Sequence, residues 1–110
     1  MKTCKAKTAL PLRVKRAIEK LGADISVARR RRAISHGLMA ERAFISPSTL
    51  VRAEKGDPGV SVGIYASILF VLDMTDRLAA LADTAQDPVG LALEEERLPK
   101  RIRQPRSARD

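Results

Sequence analysis

The run Ser35-His36-Gly37-Leu38-Met39-Ala40-Glu41-Arg42-Ala43-Phe44-Ile45-Ser46-Pro47-Ser48-Thr49-Leu50-Val51-Arg52-Ala53-Glu54-Lys55-Gly56 decides the fold of this 110-residue chain. Ser35 can cap a helix that buries Leu38 or Met39, Ala40 and Ala43 on one face. Phe44-Ile45 makes a turn. Ser46 then caps a second helix, and Pro47 takes its first position, where a missing N–H costs nothing. Lys55-Gly56 ends that helix, and Gly56-Asp57-Pro58-Gly59 is a strong turn signal. On the second helix Leu50 and Ala53 share an inward face, with Ala40 small where the two helices cross. Ser48, Val51, Arg52 and Lys55 fall at i, i+3, i+4 and i+7, one outward stripe.

Upstream, Val14, Ala17, Ile18, Leu21, Ile25 and Ala28 recur at helical spacing and predict a helix to about Arg32, with Gly22 as its weak point and candidate break. Arg29, Arg30, Arg31 and Arg32 lie at its C-terminal end, where positive charge suits the helix dipole. Downstream, Ser61 can cap a helix in which Val62, Tyr65, Ala66, Leu69, Phe70 and Leu72 are too apolar for a free surface. Thr75 opens a short helix through Leu81, with Leu78 and Leu81 facing inward. Beyond Ala82 the periodicity fades. Asp87-Pro88-Val89-Gly90 breaks the chain, Leu91 to Arg97 allows one or two helical turns, and residues 99–110 are expected to be disordered unless bound. The expected organisation is a flexible basic arm over 1–13, a helical domain over 14–82 and a largely disordered tail over 83–110.

Charge is unevenly spread. Of the net +8, residues 1–56 carry +10, residues 57–96 carry −7 and residues 97–110 carry +5. A basic first half favours a polyanion, because each neutralised phosphate releases condensed counterions. The acidic middle argues against coating nucleic acid with the whole surface and leaves a face for protein contacts. Only 3% of residues are aromatic, which weighs against single-strand binding by base stacking.

Cys4 is the only cysteine and His36 the only histidine. Neither a metal site, a nucleophile–base pair nor a phosphate loop can be assembled, so no catalytic residue, metal or cofactor is expected. The single cysteine fits a reducing cytoplasm. The longest charge-free apolar run, Pro58 to Leu72, has 15 residues, short of the roughly 20 of a spanning helix. A soluble cytoplasmic protein without membrane contact is expected.

The outward stripe combines a bidentate donor, a short hydroxyl and a small apolar surface, the pieces for reading base edges in a major groove. The two-helix run, with the Arg-rich helix before it, resembles the helix-turn-helix of the Cro/C1 repressor family (the Xre type) over residues 21–72. The resemblance rests on Leu38-Met39-Ala40-Glu41-Arg42-Ala43, Ile45-Ser46-Pro47-Ser48-Thr49-Leu50 and Glu54-Lys55-Gly56. It implies an all-α, four- or five-helix, lambda repressor-like DNA-binding domain with flexible basic termini. Pro47, Ser48, Thr49, Val51 and Arg52 would face bases. His36, Ser46, Lys55, Arg30, Arg31 and Arg32 would meet phosphates. Arg29 would pair with Glu54 as a structural brace. The family's usual turn glycine is Phe44 here, a cost of about 1–2 kcal/mol unless the turn has another geometry.

Asp87-Pro88-Val89-Gly90-Leu91-Ala92-Leu93 and Leu98-Pro99-Lys100-Arg101-Ile102-Arg103 are similar to the C-terminal end of HipB-like antitoxins. That similarity implies a type II toxin–antitoxin pair: a homodimeric repressor of its own operon that binds operator DNA and a HipA-like serine/threonine kinase toxin. Phe70, Leu72, Met74 and Leu78 are the candidate dimer surface. The alternatives are a free-standing Xre-family regulator without a toxin partner and a basic RNA-binding or architectural protein.

Overall fold

In a computed structural model, which describes residues 9–97, the chain is all-helical. Among the described residues the bounded α-helices follow in order as α1 (Leu12–Arg31), α2 (His36–Ala43), α3 (Pro47–Glu54), α4 (Val62–Val71), α5 (Thr75–Ala79) and α6 (Pro88–Arg97), with a 3₁₀ turn at Thr84–Gln86 before α6. The chain divides between Leu78 and Ala79 into two units, four residues before the expected boundary. The outermost basic arm with Cys4, and the tail from Leu98 onward, lie outside the described residues.

Serine capping starts three of the helices. Ser35, Ser46 and Ser61 each accept, at Oγ, the backbone N–H three residues on, from Leu38 at 3.1 Å, Thr49 at 3.1 Å and Ile64 at 3.2 Å. Each satisfies an otherwise orphaned donor, worth about 1 kcal/mol. The apolar faces so set meet in one core. Ile25 of α1, Met39 of α2, Leu50 of α3, Ile68 of α4 and Leu72 after it are its largest fully buried side chains.

α1 begins at Leu12, inside the expected arm, and runs unbroken through Gly22. The glycine marks a close approach. A Cβ there would stand 2.5 Å from the Ala53 carbonyl oxygen and 2.6 Å from the Gly56 nitrogen. Gly56 answers it with φ +74°, and a Cβ there would meet Glu19 Cα at 2.4 Å. Two backbones touch because neither residue has a side chain. The helix-propensity cost of Gly22, about 1 kcal/mol, is the condition of that contact.

Several expectations for the second half need correction. Leu72 is 1% exposed and belongs to the core, because its N–H still bonds to the Ile68 carbonyl at 3.1 Å in helical fashion, which sets it one turn beyond fully buried Ile68 on the same face. Leu81 is 76% exposed, since α5 stops at Ala79 and the helical face does not reach it. Asp87-Pro88 starts a helix where a break was expected. Asp87 Oδ1 accepts the Gly90 N–H at 3.0 Å, the same cap-then-proline arrangement as Ser46-Pro47, so residues 84–97 are structured. Within this second unit Val89, Leu91 and Leu93 are all exposed.

Three helices end on a non-glycine residue in the left-handed region: Ala33 (φ 55°), Phe44 (φ 57°) and Asp73 (φ 63°). The reward is backbone bonding, as the Ile45 N–H reaches the Ala40 carbonyl at 3.0 Å and Met74 reaches Leu69 at 2.8 Å. Phe44 therefore does adopt the strained turn, and its ring is 94% exposed. Relief of about 1–2 kcal/mol of strain, less the added freedom of an unfolded glycine at about 0.4–1 kcal/mol, makes Phe44→Gly stabilising. Denaturant unfolding is expected to show a gain of up to about 1.6 kcal/mol. A loss would mean the exposed ring contributes packing that its accessibility denies.

Candidate nucleic-acid interface

The central element is α3, and its position follows from its two faces. Leu50 and Ala53 are completely buried, while Ser48, Val51, Arg52 and Lys55 are exposed. The stripe read from the sequence is thus presented to solvent on a helix whose other side is sealed into the core.

A buried ion pair locks the far end of this helix. Arg29 Nε donates to Glu54 Oε2 at 2.6 Å and Nη2 donates to Oε1 at 3.2 Å. The two side chains are only 8% and 9% exposed. Arg29 Nη1 also donates to the Ile34 carbonyl at 2.9 Å, so the guanidinium binds two segments at once. This is the pairing the family resemblance implied. Burial opposes ionisation of Glu54, but the hydrogen bonds from Arg29 and His36 and their positive charge outweigh it. The carboxyl therefore titrates below its ordinary value.

His36 Nε2 lies 3.1 Å from Glu54 Oε1 and 3.2 Å from Arg29 Nη2. This nitrogen is part of the brace, where the sequence reading had it as a phosphate donor. Arg32 is also turned to a structural task. Its Nη1 donates to the Ala28 carbonyl at 3.0 Å and its Nη2 to the Leu72 carbonyl at 3.3 Å, tying α1 to the end of α4. Carbonyls left over at helix ends recruit the nearest long cation, which nearest-neighbour reading of a charge run does not anticipate.

Arg30, Arg31 and Lys55 are exposed and form no ion pair among the described residues. Ser46, besides capping α3, donates to Thr49 Oγ1 at 2.8 Å and lies 3.2 Å from Ser48 Oγ. With Pro47 exposed beside them, these hydroxyls form a polar cluster at the start of α3. Arg52 is half-exposed and donates from Nε to Asp57 Oδ2 at 2.9 Å. The sequence reading missed that partner. The i, i+5 spacing across the Gly56 turn was the available signal. It also passed over the cations of early α1, Arg13, Lys15 and Arg16, which are exposed on helix; of these only Arg13 was expected in the arm.

Of the apolar set Phe70, Leu72, Met74 and Leu78, only Phe70 is strongly exposed, at 71%. Met74 and Leu78 pack partly against the core. Phe70 and Phe44 line a shallow concavity of about 260 Å³ with Arg42, Ala43, Ala66 and Ser67. Among the described residues no cluster of potential metal ligands occurs, and no helix is long and apolar enough to cross a membrane. Comparison with protein-family models, with curated proteins and with solved structures finds no match.

Because the folded Glu54 pKa is depressed, ionised Glu54 contributes stability fully above the ordinary value of 4.5 and loses it as pH falls through the folded value. The resistance of the wild type to urea is expected to fall as pH drops below 4.5. Glu54→Gln is expected to be less stable by about 3 kcal/mol at pH 7, because Arg29 then stays buried without a counterion. Its stability should vary less with pH over the acid interval. Parallel acid profiles would place that sensitivity on other carboxylates.

Proposed function

We propose that this protein is a sequence-specific DNA-binding repressor of the Cro/C1 (Xre) type. One observation carries the proposal: Ser48, Val51, Arg52 and Lys55 form an exposed stripe on a helix fixed from behind by the Arg29–Glu54 pair. A base-reading helix needs both properties, since side chains must meet base edges within tenths of an ångström and a loose helix would lose the register. α2 and α3 are joined by three residues and stand with α1 and α4 around one core, the arrangement that the resemblance to that family implies. Arg30, Arg31, Lys55 and the exposed cations of early α1 supply phosphate attraction.

The protein acts as a homodimer, so that two copies of α3 meet successive major grooves of a palindromic operator about 34 Å apart. Phe70, the exposed member of the apolar set, anchors the association. The similarity of the C-terminal sequence to HipB-like antitoxins extends the proposal: the protein represses its own operon and captures a HipA-like serine/threonine kinase toxin in the cytoplasm. No catalytic role enters this reading.

Arg52→Ala is expected to weaken binding to the preferred duplex by about 1–3 kcal/mol and to relax preference at one base pair. Equal losses on preferred and random duplexes would make Arg52 a phosphate contact instead. Affinity should fall linearly on a logarithmic salt scale; a flat response would remove the electrostatic part of the proposal. For the partner, affinity capture of the tagged protein from its native cells is expected to recover a near-stoichiometric kinase. Recovery of the protein and DNA alone would leave a free-standing repressor.

A further inference from the structure

Arg52 does not stand alone on the stripe. Its Nε donates to Asp57 Oδ2 at 2.9 Å, with the arginine side chain 50% exposed and the aspartate 20%. Asp57 is itself held at several points. Its Oδ1 accepts the Gly59 N–H at 2.8 Å, and its carbonyl accepts the Tyr65 hydroxyl at 3.0 Å. Its backbone N–H donates to the Arg52 carbonyl at 3.1 Å, and the Val60 N–H returns to its carbonyl at 3.1 Å. Tyr65 is buried in the core, so the chain of contacts runs from core to loop to guanidinium.

We infer that Asp57 is a specificity-determining residue that fixes Arg52 to read a guanine in duplex DNA, an inference that rests on the DNA-binding proposal above. A guanidinium offers two edges with paired parallel donors, Nε with one Nη, and Nη with Nη. Asp57 takes the first edge. The second carries the donor spacing that matches O6 and N7 of guanine in the major groove. A guanidinium edge also suits phosphate, and charge decides between the two. A carboxylate 2.9 Å from the guanidinium repels phosphate oxygens and weakens a phosphate clamp. Guanine carries no net charge and is not repelled in this way. Holding the long side chain before binding also removes ordering entropy that a free arginine would lose on contact.

The test begins with selection of duplexes by the wild-type protein from a randomised library. Affinities of the wild type, Asp57→Asn, Arg52→Lys and the double variant are then measured at one salt concentration. The duplexes are the selected one, the same duplex with each G·C pair replaced in turn, and a random one. Wild-type protein is expected to discriminate one G·C pair by roughly tenfold or more. Asp57→Asn keeps an acceptor for Gly59, and thermal unfolding verifies its fold. It should collapse discrimination at that pair while binding random duplex equally or more tightly, because a negative charge has gone. In the Arg52→Lys background, which lacks the paired edge, Asp57→Asn should have no further effect on discrimination. Uniform tightening on all duplexes with discrimination intact would overturn the inference and leave Asp57 as a repulsive charge only. If the wild type selects no duplex, the DNA-binding proposal itself falls, and this inference with it.

Discussion

The buried pair between Arg29 and Glu54 is the constraint on which the arrangement of the other helices depends. Both side chains are more than nine-tenths buried, and removing two charges from water costs several kcal/mol per ion before any attraction is counted. The pair is therefore poor evidence for stability in itself. Its effect is geometric. A bidentate guanidinium–carboxylate contact is planar and short, and a third donor to the Ile34 carbonyl fixes the same guanidinium to the segment after α1. Sliding or rotating α3 by part of a turn would strand both charges, so competing packings of the same apolar faces are penalised far more than the native one.

The glycine contact acts with the ion pair. Gly22 and Gly56 let the backbone of α1 approach the end of α3 to a distance that excludes a Cβ on either side. Both contacts act on the C-terminal end of α3, the glycine contact at Ala53 to Gly56 and the ion pair at Glu54, while on α1 they lie seven residues apart, at Gly22 and Arg29. Where no such approach occurs, the chain accepts left-handed strain instead of using glycine. Ala33, Phe44 and Asp73 each close a helix at positive φ. At Gly22 the missing side chain is the requirement, and at Gly56 the missing side chain and the positive φ are required together.

Much of this was legible in the sequence because it is periodic or local. The serine caps, the proline at the start of α3, the buried Leu50 and Ala53 and the outward stripe each follow from residues within one turn of one another. What escaped depends on partners distant in the chain. Gly22 reads as a weak point because propensity takes no account of the Gly56 backbone it touches. Leu72 reads as interface because α4 is apolar on nearly every face, although the four-residue step from fully buried Ile68 carries it into the core. His36 and Arg32 read as phosphate contacts because the Glu54 carboxylate beside His36 and the Leu72 carbonyl that Arg32 reaches lie 18 and 40 residues away. Asp87-Pro88 differs in kind: its cap signature is local, and the turn-forming reputation of both residues masked it.

These internal claims also change what the charge count means. A basic run invites the view that each cation meets a phosphate, yet Arg29 and Arg32 are engaged within the fold and Arg52 shares its charge with Asp57. The free positive charge near α3 is smaller than the first 56 residues suggest. A protein binding a polyanion through charge alone gains nothing from a carboxylate set beside an exposed arginine, since the pair lowers attraction at every sequence. It gains only if that arginine must point in one direction. The brace behind α3, the anchored loop after it and the carboxylate beside Arg52 all sacrifice attraction or solvation for direction. Under the DNA-binding proposal, that common trade is the physical reason to expect selectivity, rather than bulk affinity, from this face.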